Sequence, residues 1–293
     1  MKRAMLIVNP CAGRKIPNLD VAYIVLTLQK HGYVIKVYYT QRQGNATTLV
    51  KKYGSNFDTI ICCGGDGTFH EVVNGVLALD VDKPIGYIPT GTTNDFAKSI
   101  GISHEIREAV KTIIKNKFES YDIGCFNSEY FTYVASFGAF SDISYMTSQK
   151  SKNLLGHFAY ILEALKNLKK ITPVRVKFKM GDKTIKEEII FGAIVNSLSI
   201  GGILKFKKDE VKLDDGKFEV ILIRKPKDAL SICDIIKCLR NGNYNNENII
   251  FGTAKNIQAE FEDDTNWNLD GEYVEAGKNV AIKSLQKRVK IIK

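Results

Sequence analysis

The chain has 293 residues, 44 % of them hydrophobic and 25 % charged, with only six prolines, the composition of a globular protein long enough for two domains. No apolar run approaches the roughly 18–20 residues needed to cross a bilayer, and the opening MKRAMLIVNP has no cleavage pattern, so a cytoplasmic protein is expected. The net charge of +10 suits an anionic partner: nucleic acid, an acidic membrane surface or a phosphorylated small molecule. The six thiols (Cys11, Cys62, Cys63, Cys125, Cys233, Cys238) form no C-x-x-C pair, and His31, His70, His104 and His157 are scattered, which argues against a disulfide framework and against zinc.

The first 120 residues or so alternate strand-like and helix-like segments. AMLIVNP (4–10) predicts a buried strand and is followed by a helical run over 18–30; YVIKVYYT (33–40) predicts a second strand, followed by a helix over 45–53. TIICCGGD (59–66) and PIGYIPTG (84–91) predict a third and a fourth strand, with helices over 69–79, near 93–100 and over 104–116. This alternation predicts an α/β domain with a doubly wound, mostly parallel sheet, in which ligands bind beyond the carboxyl ends of the strands. After about residue 123 short β-like runs dominate, with helical interruptions near 153–170 and 228–240, which predicts a C-terminal β-sandwich domain. The expected division is 1–123 and 124–279, the two domains packed directly across a cleft.

The stretch CCGGDGTFHEVVNG (62–75) carries the strongest chemical signal. Gly64 and Gly65 lack a Cβ and can let the backbone approach a ligand, and Thr68 with Glu71 reads as a T-x-x-E capping box that starts a helix at Thr68. Helix N–H groups then point into the loop, which makes an anion site. The loop is neither a P-loop, since no G-x-x-x-x-G-K-[ST] occurs, nor a dinucleotide fingerprint, since His70 stands where the third glycine belongs. Asp66 would repel a phosphate unless a divalent cation bridges them, and Mg²⁺ is the usual partner of phosphate with one or two carboxylates. A tight turn that needs glycine for its dihedrals is the alternative reading. IPTGTTNDF (88–96) has the same build, with Gly91, Thr93, Asn94 and Asp95 at a helix start, and NPCAGRK (9–15) ends the first strand similarly with Arg14 and Lys15 beside it.

Taken together, NPCAG, GGDGTFHEVVNG, PTGTTNDFAKSIGI, IVNSLSIGG, LDDGKFEV and LDGE, in that order, resemble the diacylglycerol kinase catalytic superfamily, in particular its soluble bacterial lipid kinases. The resemblance spans nearly the whole chain. It implies ATP-dependent phosphorylation of a lipid hydroxyl, most readily diacylglycerol to phosphatidic acid, and a final segment, about 280–293, that returns to the first domain. It implies nucleotide contacts at Asn9, Pro10, Cys11, Ala12, Gly13, Thr40, Thr93 and residues 65–71, with Gly65, Asp66, Gly67, Thr68 and Glu71 among them. It implies a general base at Glu272 and a structural Mg²⁺ held by Asp215 with backbone oxygens near Lys212 and Lys217. Departures from the family pattern are Phe69 and His70 after GGDGT, Cys11 and Ala12 in the first loop, and KKDEVK before DDG; none removes an acid or a glycine.

Phosphoryl transfer needs a cradle for the triphosphate, a cation and a base. The glycine loops supply the first, and Asp66 and Asp95 are expected to hold Mg²⁺ directly or through water. Glu272 is the candidate base, with a turn acid in NLDGEY as the alternative. Asp215 has a turn reading too, and Arg14 and Lys15 are either phosphate partners or solvated loop cations. The 153–170 helix has an apolar face (Leu154, Leu155, Phe158, Ile161, Leu162, Leu165, Leu168), and Lys166, Lys169, Lys170, Arg175, Lys177 and Lys179 cluster at its end and along the next strand. That pattern fits either docking on the inner, anionic face of a membrane or an ordinary helix packed on a sheet. An NAD kinase is the nearest alternative phosphotransferase. A basic nucleic-acid-binding protein is a different class, against which stands the absence of a recognised module, so no nucleic acid is expected. A homodimer is compatible with the resemblance.

Overall fold

A computed structural model describes residues 1–13, 17–79, 81–138, 172–200, 204–206 and 211–293. Arg14, Lys15, Lys166, Lys169, Lys170 and the helix expected over 153–170 lie outside the described residues. The chain divides into two compact units, Met1–Tyr121 with Lys287–Lys293, and Asp122–Gln286.

The first unit runs β1 (Lys2–Val8), α1 (Asn18–Lys30), β2 (Tyr33–Tyr39), α2 (Asn45–Tyr53), a short 3₁₀ turn, β3 (Thr59–Gly64), α3 (Asp66–Leu77), β4 (Ile85–Pro89), α4 (Asp95–Ser99) and α5 (Ile106–Lys115). Its strands are parallel in the order β2–β1–β3–β4. The end of the long last strand, Asn279–Ile292, adds parallel to β4 through Ile291 and Ile85. Every residue of β3 and the last five of β1 are buried, the continuous apolar pattern of a sheet covered on both faces. Val21, Ile24 and Leu28, one stripe of α1, meet Leu6, Ile61, Ile88, Val110 and Ile113 in the core. Cys63 joins that core, and burial pushes its thiol up to about 12, so it acts as a small hydrophobe and not as a nucleophile.

The start of α3 differs from the sequence expectation. The helix begins at Asp66, two residues before Thr68, after an extended Gly65 and with no side-chain cap of its own. Glu71 does not fold back on its own helix. Its two carboxylate oxygens accept from Gly44 N (2.8 Å) and Ala46 N (2.9 Å) and cap α2 instead. Gly44, the residue before α2, is glycine in the left-handed region (φ 76°) and has no side chain to do this itself.

The second unit is strand-rich. β5 (Phe118–Phe126) leads into it, followed by β6 (Glu129–Phe131), β7 (Val134–Gly138), β8 (Val174–Met180), β9 (Lys183–Val195), the short β10 (Ser199–Ile200) and β11 (Leu204–Lys205), and β12 (Phe218–Arg224). Then come α6 (Ala229–Asn241), β13 (Ile249–Ala254), β14 (Asn256–Phe261), β15 (Asn266–Leu269), β16 (Glu272–Glu275) and β17 (Asn279–Ile292). Pairing within this unit is antiparallel. β9 is the long organiser: its first half pairs with β8, its second half with β7 and β12. Phe126, Phe131, Phe137, Phe178, Phe218 and Trp267 form an aromatic core, with the Phe137 and Trp267 rings 4.6 Å apart.

β8 alternates cleanly. Val176, Phe178 and Met180 are buried, while Arg175, Lys177 and Lys179 face out. Two of these outward cations have acidic partners. Arg175 pairs with Glu188 (3.0 Å) and Glu262 (3.3 Å), and Lys177 with Glu260 (2.9 Å), acids supplied from β9 and from the β14 side. Exposed pairs of this kind stabilise by only about 0.2–1 kcal/mol each.

Candidate active site

Parallel register aligns the carboxyl ends of three strands. Val8 stands beside Cys63, and Cys63 beside Ile88. The next residues are tied across: Asn9 N donates to Cys63 O (2.9 Å), Thr90 N to Gly64 O (2.8 Å), and Thr40 N to Val8 O (2.9 Å). The loops that follow β1, β2, β3 and β4 therefore start on one rim, the edge where doubly wound sheets bind ligands.

Glycine is required on this rim mainly because loop meets loop. A Cβ on Gly91 would lie 2.5 Å from Gly65 Cα, one on Gly13 2.7 Å from Thr92 N, and one on Gly64 2.5 Å from Thr68 Cβ. A Cβ at Gly64 would press on Thr68 and one at Gly65 on Gly91, so packing alone already requires glycine at both positions. Gly67 is different. A Cβ there would meet nothing within 4 Å, so the first turn of α3 opens to free space at this residue. A ligand phosphate set against that turn would find helix N–H groups and the positive end of a 12-residue helix.

The two acids predicted for the rim are brought together. Asp66, 6 % exposed, accepts from Asp95 N (3.1 Å) and Phe96 N (3.4 Å), so it caps α4. Asp95 is only 1 % exposed. Each carboxylate oxygen carries two lone pairs, so capping leaves Asp66 able to meet a cation as well. Two adjacent acids removed from bulk water favour a positive partner, which a divalent ion supplies.

The first loop is a tight turn. Asn9 Oδ1 accepts from Cys11 N (2.9 Å), Asn9 Nδ2 donates to Thr68 Oγ1 (2.8 Å), and Ala12 N reaches Asn9 O (3.3 Å). Pro10 and Cys11 are exposed at its tip. In the fourth-strand loop, Asn94 adopts the left-handed conformation (φ 51°); its side chain accepts from Gly91 N (3.0 Å) and donates to Gly91 O (2.8 Å). Thr93 is buried and Thr40 half-buried. Phe69 is fully buried, with its ring 4.4 Å from Tyr87 and 5.0 Å from Phe96, and so ties α3 to β4 and α4. His70 is half-buried beside Asn74, with its Nε2 3.1 Å from Asn74 Nδ2.

The second unit holds the other predicted residues. Leu269 pairs with Glu272, so Asp270 (φ 53°) and Gly271 (φ 98°) form the two-residue turn of the β15–β16 hairpin. Asp270 accepts from Thr132 N, Thr132 Oγ1 (2.7 Å), Tyr133 N (2.9 Å) and Val134 N (3.0 Å). The turn function therefore falls to Asp270 and Gly271, and Glu272 stands beyond it, half-buried, at the start of β16. Lys212, Asp215 and Lys217 share a single turn, where Asp215 Oδ1 accepts from Lys217 N (2.9 Å) and Gly216 N donates to buried Asp122 Oδ2 (2.6 Å). Asn196 Nδ2 links the two constellations by donating to Asp122 O (2.8 Å) and Thr132 O (2.9 Å).

Asp122, Asn196 and Asp270 were not singled out from the sequence. The available signal was an acid interrupting an apolar strand, in SYDIGCF, and the residue preceding glycine in LDGE. Glu219 is a third such acid, in KFEVILIR: it is 4 % exposed, and burial first, then the charge of Asp215, pushes its carboxyl up to about 8.

The diacylglycerol kinase catalytic domain family matches residues 3–126. The diacylglycerol kinase of Bacillus subtilis (strain 168) is 35 % identical over 275 residues, 93 % of this chain and 90 % of that one. That of Staphylococcus saprophyticus is 31 % identical over 274 residues, covering 93 % and 89 %. A crystal structure from Bacillus anthracis strain Sterne, given the provisional name diacylglycerol kinase, superposes with a TM-score of 0.86 at 28 % identity, covering 99 % of this chain and 95 % of that one. With a relative above 30 % identity along nearly its whole length, the chain belongs to the diacylglycerol kinase family.

Proposed function

We propose that this protein transfers the γ-phosphoryl group of ATP to the free hydroxyl of diacylglycerol, giving phosphatidic acid and ADP. Family membership supports a phosphotransferase with an alcohol acceptor. The observation that carries the nucleotide part is the rim itself, where three loops meet and the first turn of α3 opens outward at Gly67. The triphosphate lies against that turn and the 9–13 loop, its charge met by the first-turn N–H groups of α3, while Asn9 and Asn94 fix the adjoining loops by accepting from Cys11 N and Gly91 N.

Asp66 and Asp95 would hold a Mg²⁺ ion at the phosphates, and the turn with Asp215 and the backbone oxygens of Lys212 and Lys217 would hold a second one. A bound ion at the phosphates neutralises charge that would otherwise repel the incoming hydroxyl. Glu272 accepts the hydroxyl proton as the lipid oxygen bonds to the γ-phosphorus and the bond to ADP breaks. Asp270 is a positioning residue, because its four hydrogen bonds fix the hairpin that carries Glu272. The lipid is met at an anionic membrane surface. Among the described residues no helix is long and apolar enough to cross a membrane.

The test is incubation with γ-labelled ATP, Mg²⁺ and a panel of diacylglycerol, sphingoid base, polyprenol and NAD, with products identified by mass. Labelled phosphatidic acid is the expected product. Labelled NADP without lipid product would overturn the assignment. Vesicle binding that ignores anionic lipid content and salt would overturn the membrane part.

A further inference from the structure

We propose that Asn196 is a positioning residue for the transfer reaction. It holds the carbonyl side of the 132–134 segment, whose amide side holds Asp270 and, through it, the hairpin that carries Glu272. This rests on the reading above that Glu272 takes the hydroxyl proton. Asn196 lies in IVNSLSIGG, one of the stretches through which the chain resembles its family, and no step of the chemistry above uses it.

Residues 132–134 lead into β7 and are closed to solvent: Thr132 is 1 %, Tyr133 0 % and Val134 3 % exposed. Their main-chain N–H and C=O groups are thus removed from water, and each needs a partner in the protein. The three N–H groups all donate to one carboxylate, that of Asp270. The three carbonyls divide. Val134 O accepts from Asp270 N (2.9 Å), Tyr133 O from Asn196 N (2.9 Å) and Thr132 O from Asn196 Nδ2 (2.9 Å). Every one of these groups is therefore bound by Asp270 or by Asn196.

Three successive N–H groups aimed at one carboxylate depart from an extended strand, where neighbouring amides point to opposite sides. That shape persists only if the carbonyl side is fixed as well, and Asn196 is built to fix it. The residue is 1 % exposed and follows Val195, which is flanked by Val134 of β7 and Glu219 of β12. Its second amide hydrogen goes to Asp122 O (2.8 Å). Asp122 is itself pinned, its N–H donating to Leu213 O (2.8 Å) and its carboxylate accepting from Gly216 N (2.6 Å). The side chain thus spans from a fixed point to the Thr132 carbonyl. Asn196 Oδ1 has no hydrogen-bond partner among the described residues, so the side chain is held for its two N–H groups. Without them, Thr132 O and Asp122 O lose a buried donor and the segment under Asp270 is free to shift. Glu272 stands two residues beyond Asp270 and shifts with it. The nucleotide rim, with Asn9, Asp66 and Gly67, belongs to the first unit, so the expected damage is to turnover and not to ATP affinity.

The experiment measures kcat and KM of the full chain with ATP, Mg²⁺ and diacylglycerol, with kcat expressed per nucleotide-binding site so that misfolded protein does not count. Asn196→Asp keeps the size and removes both N–H donors. It should lower kcat by about 10–100-fold with KM for ATP unchanged. Asn196→Ala, which adds no buried charge, should do likewise and guards against a folding failure peculiar to the aspartate variant. Amide hydrogen exchange should quicken at 132–134 in both. A double-mutant cycle with Asp270→Asn separates positioning from general support of the fold. Because both residues act through one segment, the double variant should lose little more kcat than the worse single variant. Losses that multiply would overturn the positioning role. So would wild-type kcat in both folded Asn196 variants when Glu272→Gln is inactive, which leaves the base in place and removes Asn196 alone. Full activity in Glu272→Gln would overturn the base, and the inference with it.

Discussion

Gly91 in the first unit and Gly271 in the second each stand near an acid of the proposed chemistry, yet they are glycine for opposite reasons. Gly91 has no left-handed backbone, but a Cβ there would press to 2.5 Å from Gly65 Cα. Gly271 has open space around it and a φ of 98° that side-chain-bearing residues rarely adopt. The rim is held by contacts between loops distant in sequence, whereas the hairpin is held by its own dihedrals and by Asp270. The proposed phosphate cradle is thus a property of the assembled sheet, and the carrier of the candidate base is a local device bolted on by one side chain.

The largest expected effect separates chemistry from both kinds of scaffold. Glu272→Gln should lower turnover by about 10²–10⁴-fold while nucleotide affinity and melting temperature stay near wild type. Full activity in that variant would remove the base from the mechanism. Next comes the bolt of the hairpin. Asp270→Ala strands the buried amides of Thr132, Tyr133 and Val134 and should cost on the order of 4 kcal/mol by urea denaturation. A loss below about 1 kcal/mol would mean that the carboxylate is not what anchors the turn.

The two glycines then sharpen the contrast directly. Gly91→Ala should destabilise by about 1–3 kcal/mol and weaken ATP binding, because two loop backbones must move apart. Gly271→Ala should cost about 1 kcal/mol with nucleotide affinity unchanged. Equal effects on ATP binding would erase the distinction between rim and hairpin.

The smallest effect lies at the chain end. Tyr121 and then Lys293 donate to Glu119 and hold its carboxyl below the usual glutamate range. A depressed acid stabilises the fold above its unfolded pKa, and that contribution disappears as pH falls through the folded value. Glu119→Gln should therefore cost a few tenths of a kcal/mol near pH 7, because the pair is exposed, and nothing once pH has fallen below the depressed folded value of the Glu119 carboxyl. A cost that persists in acid would point to packing instead of charge.

Much of the first unit was legible because its signals are local. Helix periodicity sets α1 and α2 at the expected residues, and small-residue loops after apolar runs identify the rim. What was not legible depends on partners far along the chain. Glu71 looks like half of a local capping box, but it caps a helix that starts 26 residues earlier, because the glycine there has no side chain of its own. Asp66 likewise caps α4 from 29 residues away. Arg175 and Lys177 look like an open basic stripe until strand register brings Glu188, Glu260 and Glu262 beside them. Glu219 gave a signal, an acid in an apolar strand, whose meaning rests on burial that sequence alone does not supply.

The most direct measurement is a crystal structure with Mg²⁺ and a non-hydrolysable ATP analogue. The account predicts the phosphates against the opening at Gly67, in contact with the 9–13 loop, with an ion beside Asp66 and Asp95. An analogue ordered elsewhere on the chain, with that opening filled only by water, would contradict it.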